Sequence, residues 1–331
     1  MGATSRQSPT TCRIGFVGTG GVARRHAGVL RSFADVDLVG ATDVDPDRAE
    51  AFVAQYGGQA VPGTDALIGL GLDALYICVP PFAHGGPESA AVNAGVAAFV
   101  EKPLAADVGT AETVAGLLAA GGITTRVGLH WRCAEPVRRA YDLLKGRRVR
   151  LVGGWWLDKV PPVPWWGDRH LSGGPLVEQA VHVLDLMRLL VGEVSEVHAV
   201  SAGPAGSDTD AATAALLRFA GGAVGTIATT CVLSGKHRAG VEIVADGLVV
   251  GVGEDWLEVG DGVTSRRSSY DPSVARAAAD RAFVDAVRNP ASPADHTCAP
   301  TLPDHTEALN SHRLACALAR SAQTGAPEHL R

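Results

Sequence analysis

Short apolar runs, each closed by glycine, proline or an acid, set the rhythm of the first third of the chain. Residues 13–17, 38–42, 75–79, 98–100 and 127–129 read as strands. The segments between them, 22–33, 46–56, 84–93 and 106–120, read as helices. Strand and helix alternating across short turns predict a parallel sheet with helices on both faces. From about residue 149 the rhythm changes. Residues 149–159, 194–202, 211–219, 223–232, 241–245 and 248–252 read as strands, several joined by turns such as Ala220-Gly221-Gly222 and Asp246-Gly247. Such links predict a largely antiparallel sheet, and helix returns at 272–288 and 303–321. The expectation is a polar tail over 1–11, an α/β domain over 12–131 and an α+β domain over 132–331.

Composition agrees with a packed protein. The 331 residues are 46% hydrophobic and 19% charged, with a net charge of −6. No basic surplus marks a nucleic-acid footprint. No apolar run approaches the ~18 residues of a membrane span. The opening MGATSRQSPTT has no apolar core of a secretory signal. The cysteines at 12, 78, 133, 231, 298 and 316 form no CxxC pair or zinc-type grouping with histidine. A cytoplasmic protein with reduced thiols is expected.

The first strand runs into a turn with chemistry of its own. Gly18-Thr19-Gly20-Gly21-Val22-Ala23 is a GxGxxA between strand and helix. Gly18 permits a tight turn, Gly20 lets the backbone approach a pyrophosphate, and Ala23 keeps the helix close to the strand. The first free N–H groups of the helix, around Gly21 and Val22, can hold phosphate oxygens. Asp43 closes the second strand, 25 positions beyond Gly18. An acid there accepts hydrogen bonds from ribose hydroxyls and repels a 2′-phosphate, which favours NAD over NADP.

A second stretch, GGPLVEQAVHVLDL at 173–186, places Glu178, His182 and Asp185 at spacings of four and three. On one helix these would share a face. A third, Val100-Glu101-Lys102-Pro103-Leu104, follows a strand of the first domain. The glycine turn, this EKP and the later GG…H-x-x-D resemble the Gfo/Idh/MocA family of oxidoreductases over almost the whole chain. Val79-Pro80-Pro81 with His84, and Arg132 with Pro136, extend the resemblance. It implies a Rossmann domain, which puts Pro80, His84 and Glu101 on the cofactor side, and an open antiparallel sheet domain for substrate and oligomerisation. It also implies that Lys102 holds and polarises the reacting oxygen, that His182 is the acid/base, and that the chain forms a homodimer or homotetramer. Two positions depart from the family pattern: Glu178 stands where Asp is common, and Ala180 where Gly is common.

The residues support that chemistry independently. Hydride loss from an alcohol leaves an alkoxide-like oxygen, which an ammonium such as Lys102 stabilises. An imidazole such as His182 takes the proton near neutral pH. Glu178 can bind a second hydroxyl or orient His182, and Asp185 is another candidate to fix the imidazole or meet the substrate. Trp155, Trp156, Trp165 and Trp166 suit the C–H faces of a sugar ring. Arg132, Arg169, His130 and His170 can hydrogen-bond a substrate or counter its negative charge. Plain structural uses stand beside these: Glu101 and Lys102 as a surface pair, His182 as a core histidine, tryptophans as core or interface. A metal held by Glu178, His182 and Asp185 is a further alternative, set aside because no fourth ligand is evident. The leading reading is an NAD-dependent dehydrogenase or reductase of a sugar, amino sugar or cyclitol, with no metal, nucleic-acid or membrane partner. An imine reductase on the same scaffold and a non-catalytic dinucleotide sensor are the alternatives.

Overall fold

The computed structural model describes residues 11–203, 208–289 and 300–330; the expected tail, up to residue 10, and Cys298 lie outside them. The first sheet contains β1 (Cys12–Val17), β2 (Val36–Thr42), β3 (Gln59–Ala60), β4 (Ala74–Ile77), β5 (Ala97–Val100) and β6 (Thr125–Val127). All pairs are parallel, in the order β3-β2-β1-β4-β5-β6. This is the Rossmann arrangement, with its crevice where the order reverses between β1 and β4. Only β3 escaped the sequence reading, because two residues show no periodicity.

The second sheet holds β7 (Val149–Leu157), β8 (Val194–Ser201), β9 (Ala212–Phe219), β10 (Val224–Thr230), β11 (Arg238–Ala245), β12 (Leu248–Val252), β13 (Trp256–Gly260), β14 (Ser265–Ser269) and β15 (Glu328–His329). Their order is β14-β13-β12-β11-β7-β10-β9-β8-β15. Neighbours are antiparallel except β10 and β7, which run parallel. The fold is therefore the expected pairing of a Rossmann-type domain with a mixed, mostly antiparallel sheet. β14, with the sequence SRRSS, has no apolar position to announce it and is defined by its pairing with β13.

One face of this sheet is covered by the helix Val181–Val191. Val183, Leu184, Leu186 and Met187 of that helix are fully buried. The approach is close enough that a Cβ on Gly154 would stand 2.3 Å from Met187 Cε and 2.9 Å from Val183 Cγ1, so a side chain at that point of β7 would push the helix's own side chains aside.

Two features depart from the sequence reading. First, the chain does not divide cleanly at residue 131. The helix Pro272–Arg288 sends Ala279, Phe283 and Val284 into a core shared with Ile14, Phe16 and Tyr76 of the first sheet. Burying a side chain such as Phe283 contributes roughly 1.5–3 kcal/mol, so this helix ties the second half to the first. The helix His305–Thr324 likewise gives Ala308 and Leu309 to the first domain and Leu314 and Leu318 to the second. Second, the stretch 173–186 is not one helix. Pro175–Glu178 forms a single turn opened by Gly174 at φ +83, and a new helix starts at Val181. Gln179 N–H and Ala180 N–H both donate to Pro175 O, which closes the first turn before the second helix begins.

Candidate active site

The glycine turn sits at the crevice. Gly18 has φ +82, and a Cβ there would lie 2.5 Å from Cys78 O, just past β4, so this position requires glycine. Gly20 caps the helix Gly21–Leu30 without a side-chain cap bond, and the first turn of that helix carries no acid. A Cβ on Gly21 would meet nothing within 4 Å. The helix thus presents an open, uncapped N-terminus, which suits a pyrophosphate. Val22 and Val44 flank it with exposed apolar surface. These features fit a dinucleotide.

Asp43 is folded toward the same turn. Its Oδ2 accepts from Thr19 N–H at 2.7 Å and from the Thr19 hydroxyl at 2.8 Å, and its Oδ1 accepts from Asp45 N–H at 3.1 Å. Partial burial pushes this carboxyl up, but these hydrogen bonds outweigh it and hold it below the usual range, hence ionised. Pro80 precedes the turn Pro81–Ala83. His84 is buried, with Nδ1 2.6 Å from Glu88 Oε1, while its Nε2 is buried without a partner.

Glu101, expected on the cofactor side, is instead buried under the loop. Its Oε1 lies 2.9 Å from His26 Nε2, and His26 Nδ1 lies 2.6 Å from Asp280 Oδ1. Tyr76 Oη–H donates to the same Asp280 oxygen. Burial opposes charge on His26, but Asp280 and Glu101 outweigh it and push the imidazole up to about 9. Burial would raise Glu101, yet the His26 hydrogen bond and charge take it down to about 2. Glu101 Oε2 also accepts from Lys102 N–H at 3.1 Å. The acid anchors the backbone of the lysine next to it.

Lys102 reaches from the end of β5 to the second domain. Its Nζ donates to Glu178 O at 2.8 Å and to Glu178 Oε1 at 2.9 Å. Trp166 Nε1–H donates to the other carboxylate oxygen at 3.2 Å. His182 lies nearly parallel to Trp131, with ring centroids 5.3 Å apart, and to Trp156 at 6.1 Å; His130 stands edge-on at 5.1 Å. Burial holds the His182 imidazole well below its ordinary pKa, and the neighbouring charges of His130, Lys102, Lys236 and Arg25 add to the effect. It is therefore neutral at physiological pH. Its Nδ1 is buried without a partner, so stacking rather than a carboxylate orients the ring.

Four expected substrate contacts face elsewhere. Asp185 Oδ2 and Oδ1 accept from Arg132 Nε and Nη2 at 2.8 and 2.6 Å, and Ser311 Oγ donates to Asp185 at 2.7 Å. Both charges are buried and spent on each other, so neither orients His182. Arg169 pairs with Asp210 at 3.0 Å beside a different cavity, lined in part by Asp107, Gly173 and Cys316. Trp155 alternates with Trp156 along β7 and so lies on the opposite face of the sheet, under Arg238. Trp165 is half-buried in the turn before Trp166. The Glu178–His182–Asp185 line breaks up accordingly: Glu178 turns to Lys102 and Asp185 to Arg132, so the three do not face one ion. Among the described residues no group of three or more His, Cys, Asp or Glu side chains is placed to hold a metal.

The sequence reading missed Trp131, Lys236, Glu254, His26 and Asp280 as parts of this assembly. His130 bonds Glu254 at 3.1 Å, and Lys236 lies over Trp156 and Trp131. The adjacent pair His130-Trp131 after the last Rossmann strand was the available signal. Nothing along the chain links it to residues more than a hundred positions away.

Comparison with known proteins agrees with this architecture. Residues 12–129 match the family described as an oxidoreductase family with an NAD-binding Rossmann fold, and residues 145–247 match the Gfo/Idh/MocA C-terminal domain. Inositol 2-dehydrogenase of Rhizobium meliloti is 31% identical over 189 residues, 55% of this chain and 56% of that protein. UDP-N-acetylglucosamine 3-dehydrogenase of Acidithiobacillus ferrooxidans is 27% identical over 203 residues, 61% of this chain and 62% of that protein. The chain thus spans about half the length of the curated relatives it matches. Levoglucosan dehydrogenase, solved with NADH and levoglucosan, superposes with a TM-score of 0.85 at 19% identity, covering 97% of this chain and 99% of that one, a likeness of fold. Taken with the turn, the Lys102 loop and the sheet domain, the two matched domains place the chain in the Gfo/Idh/MocA family of oxidoreductases.

Proposed function

We propose that the chain is an NAD-dependent dehydrogenase or reductase acting at a hydroxyl-bearing or keto carbon of a sugar, amino sugar or cyclitol. The observation that carries this reading is the contact of Lys102, from the Rossmann domain, with Glu178, from the second domain four positions before His182. When bound, the nicotinamide takes or gives the hydride. Lys102 keeps an ammonium where negative charge grows on the reacting oxygen. His182, held neutral among aromatic rings, accepts the hydroxyl proton and returns it in the reverse direction. Glu178 accepts from a second substrate hydroxyl while tied to Lys102 and Trp166. Asp43, ionised beside the turn, favours NAD over NADP.

The names of the relatives support the substrate class, since inositol 2-dehydrogenase and UDP-N-acetylglucosamine 3-dehydrogenase are named for cyclitol and sugar oxidation. The free thiols among the described cysteines support a cytoplasmic setting, and among the described residues no helix is long and apolar enough to cross a membrane. Leu151, Val200, Leu216 and Val224 are exposed on the outer face of the second sheet, which supports pairing of copies through that face. A monomer mass in light scattering overturns that assembly. Absorbance at 340 nm with NAD and a panel of cyclitols, sugars and amino sugars tests the reaction. The expected result is turnover with one class, lost in His182→Ala. No turnover with any class, with NAD or NADP, overturns it.

A further inference from the structure

The helix that opens at the glycine turn carries two adjacent arginines, Arg24 and Arg25, in different surroundings. Arg24 Nη1 donates to Gln55 Oε1 at 2.9 Å, and its guanidinium stands 6.0 Å from the Phe52 ring centre, on the side of the helix Pro46–Tyr56. Arg31, at the end of the same helix, donates to Gln55 O at 2.7 Å. Arg25 makes no hydrogen bond or ion pair among the described residues. It is half-buried, and its Nε is buried without a partner. Elsewhere the buried guanidiniums are met closely: Arg132 and Arg188 each have a carboxylate oxygen at 2.6 Å.

Its place on the helix says where Arg25 reaches. It follows Gly21 by four residues and Val22 by three, on the face they share, and helical side chains lean toward the N-terminus. The guanidinium is thereby carried over the open first turn. A Cβ on Gly21 would meet nothing within 4 Å there, and no side-chain cap or acid competes for the turn. The Arg25 charge acts on Glu101, on His182 and on Cys78, whose carbonyl abuts Gly18. It therefore stands on the cleft side of the turn. The nearby acids are already taken: Glu101 by His26 and the Lys102 N–H, Asp43 by Thr19 and the Asp45 N–H.

We infer that Arg25 donates to the pyrophosphate of the bound dinucleotide, a charged contact beside the main-chain N–H groups of the glycine turn. The inference rests on the dinucleotide site and is independent of the sugar reaction proposed above. A guanidinium fork matches two phosphate oxygens, and one that the protein leaves unpaired gives up no partner to bind them. The main-chain groups fix where the phosphates lie, and Arg25 adds a full opposite charge.

Calorimetric titration of the full chain with NADH and with ADP-ribose tests this, since ADP-ribose keeps the pyrophosphate and lacks the nicotinamide. Arg25→Gln is expected to weaken both ligands ~10-fold or more. It should also reduce the loss of affinity that added salt causes. Arg24→Gln removes the same charge from the same helix and should leave both affinities unchanged. Arg25→Met refills the buried stem without a polar group and should repeat the glutamine result. The thermal unfolding midpoint of each variant reports on the fold. Unchanged affinity for both ligands in a folded Arg25 variant overturns the inference. So does a loss confined to NADH, which puts the guanidinium at the nicotinamide. An equal loss in Arg24→Gln also overturns it, because net charge alone then accounts for the effect. No binding of either ligand by the unaltered chain removes the dinucleotide site and the inference with it.

Discussion

Lys102 and Glu178 are 76 positions apart in sequence, yet the ammonium of one donates to both the main-chain carbonyl and the carboxylate of the other, at 2.8 and 2.9 Å. One belongs to the loop after β5 and the other to the single helical turn before His182. In the proposed reaction, this contact holds ready the charge that the reacting oxygen needs. Lys102→Met is expected to lower kcat by ~10²–10³-fold, the scale of losing one donor to a developing oxyanion. NADH affinity, read by fluorescence, should hold. A variant with undiminished kcat removes Lys102 from the chemistry.

His182 bears on the pH profile. Burial, followed by the neighbouring His130, Lys102, Lys236 and Arg25 charges, holds its pKa well below the ordinary 6.5. The proton-accepting form is then the resident one, and kcat/KM for oxidation should stay level as pH falls from 7.5 to 6.5. A free imidazole would lose about half its acceptor form over that interval. An acid limb centred at 6.5 contradicts the assignment. His182→Ala should cost ~10²–10⁴-fold in kcat.

On the proposed reading, Asp43 sets the preference between NAD and NADP. Asp43→Ser removes the charge proposed to meet the adenosine ribose and should weaken NAD binding ~10-fold while moving the NAD-to-NADP affinity ratio toward NADP. Dissociation constants of both reduced cofactors, by fluorescence titration, give the ratio. Wild-type preference for NADP would overturn the argument.

Arg132 and Asp185 should behave as structure rather than chemistry. Asp185→Ala leaves a buried guanidinium without its bidentate partner, at a cost of about 3–5 kcal/mol. Chemical denaturation should register that loss, while KM of the protein that remains folded stays near wild type. A raised KM with unchanged stability would restore the pair to the substrate.

The His26 network predicts a stability profile. His26 rises from 6.5 to about 9 on folding, so its contribution is complete below pH 6.5 and is lost as pH climbs through about 9. Glu101 falls from 4.5 to about 2, so its contribution is complete above pH 4.5 and is lost on acidifying through about 2. The stability gap between wild type and His26→Gln, from urea unfolding, should therefore narrow between pH 6 and pH 9.5. A gap that widens over this range contradicts the pairing.

What could be read along the chain was whatever depends on near neighbours. Apolar runs and glycine turns announced the Rossmann strands, because an apolar run bounded by turns is a local property. The turn at Gly18 and the acid at Asp43 were legible for the same reason, each being a backbone requirement or a charge at the end of a strand. β14 was not, since SRRSS pairs only because β13 lies beside it. Spacing in 173–186 suggested one helix face, and the turn closed by Gln179 and Ala180, whose N–H groups both donate to Pro175 O, broke it.

The sequence by itself determined the two kinds of sheet, the phosphate-ready turn and the residue types of the site, because periodicity, glycine conformation and side-chain chemistry act over a few residues. Only the tertiary structure decided which charges are free. It spent Arg132 on Asp185 and Glu101 on His26, and it set Trp156 rather than Trp155 beside His182. Whether a buried charge is neutralised or left to meet a ligand depends on partners that lie dozens to hundreds of positions away along the chain, and folding alone brings them within a hydrogen bond.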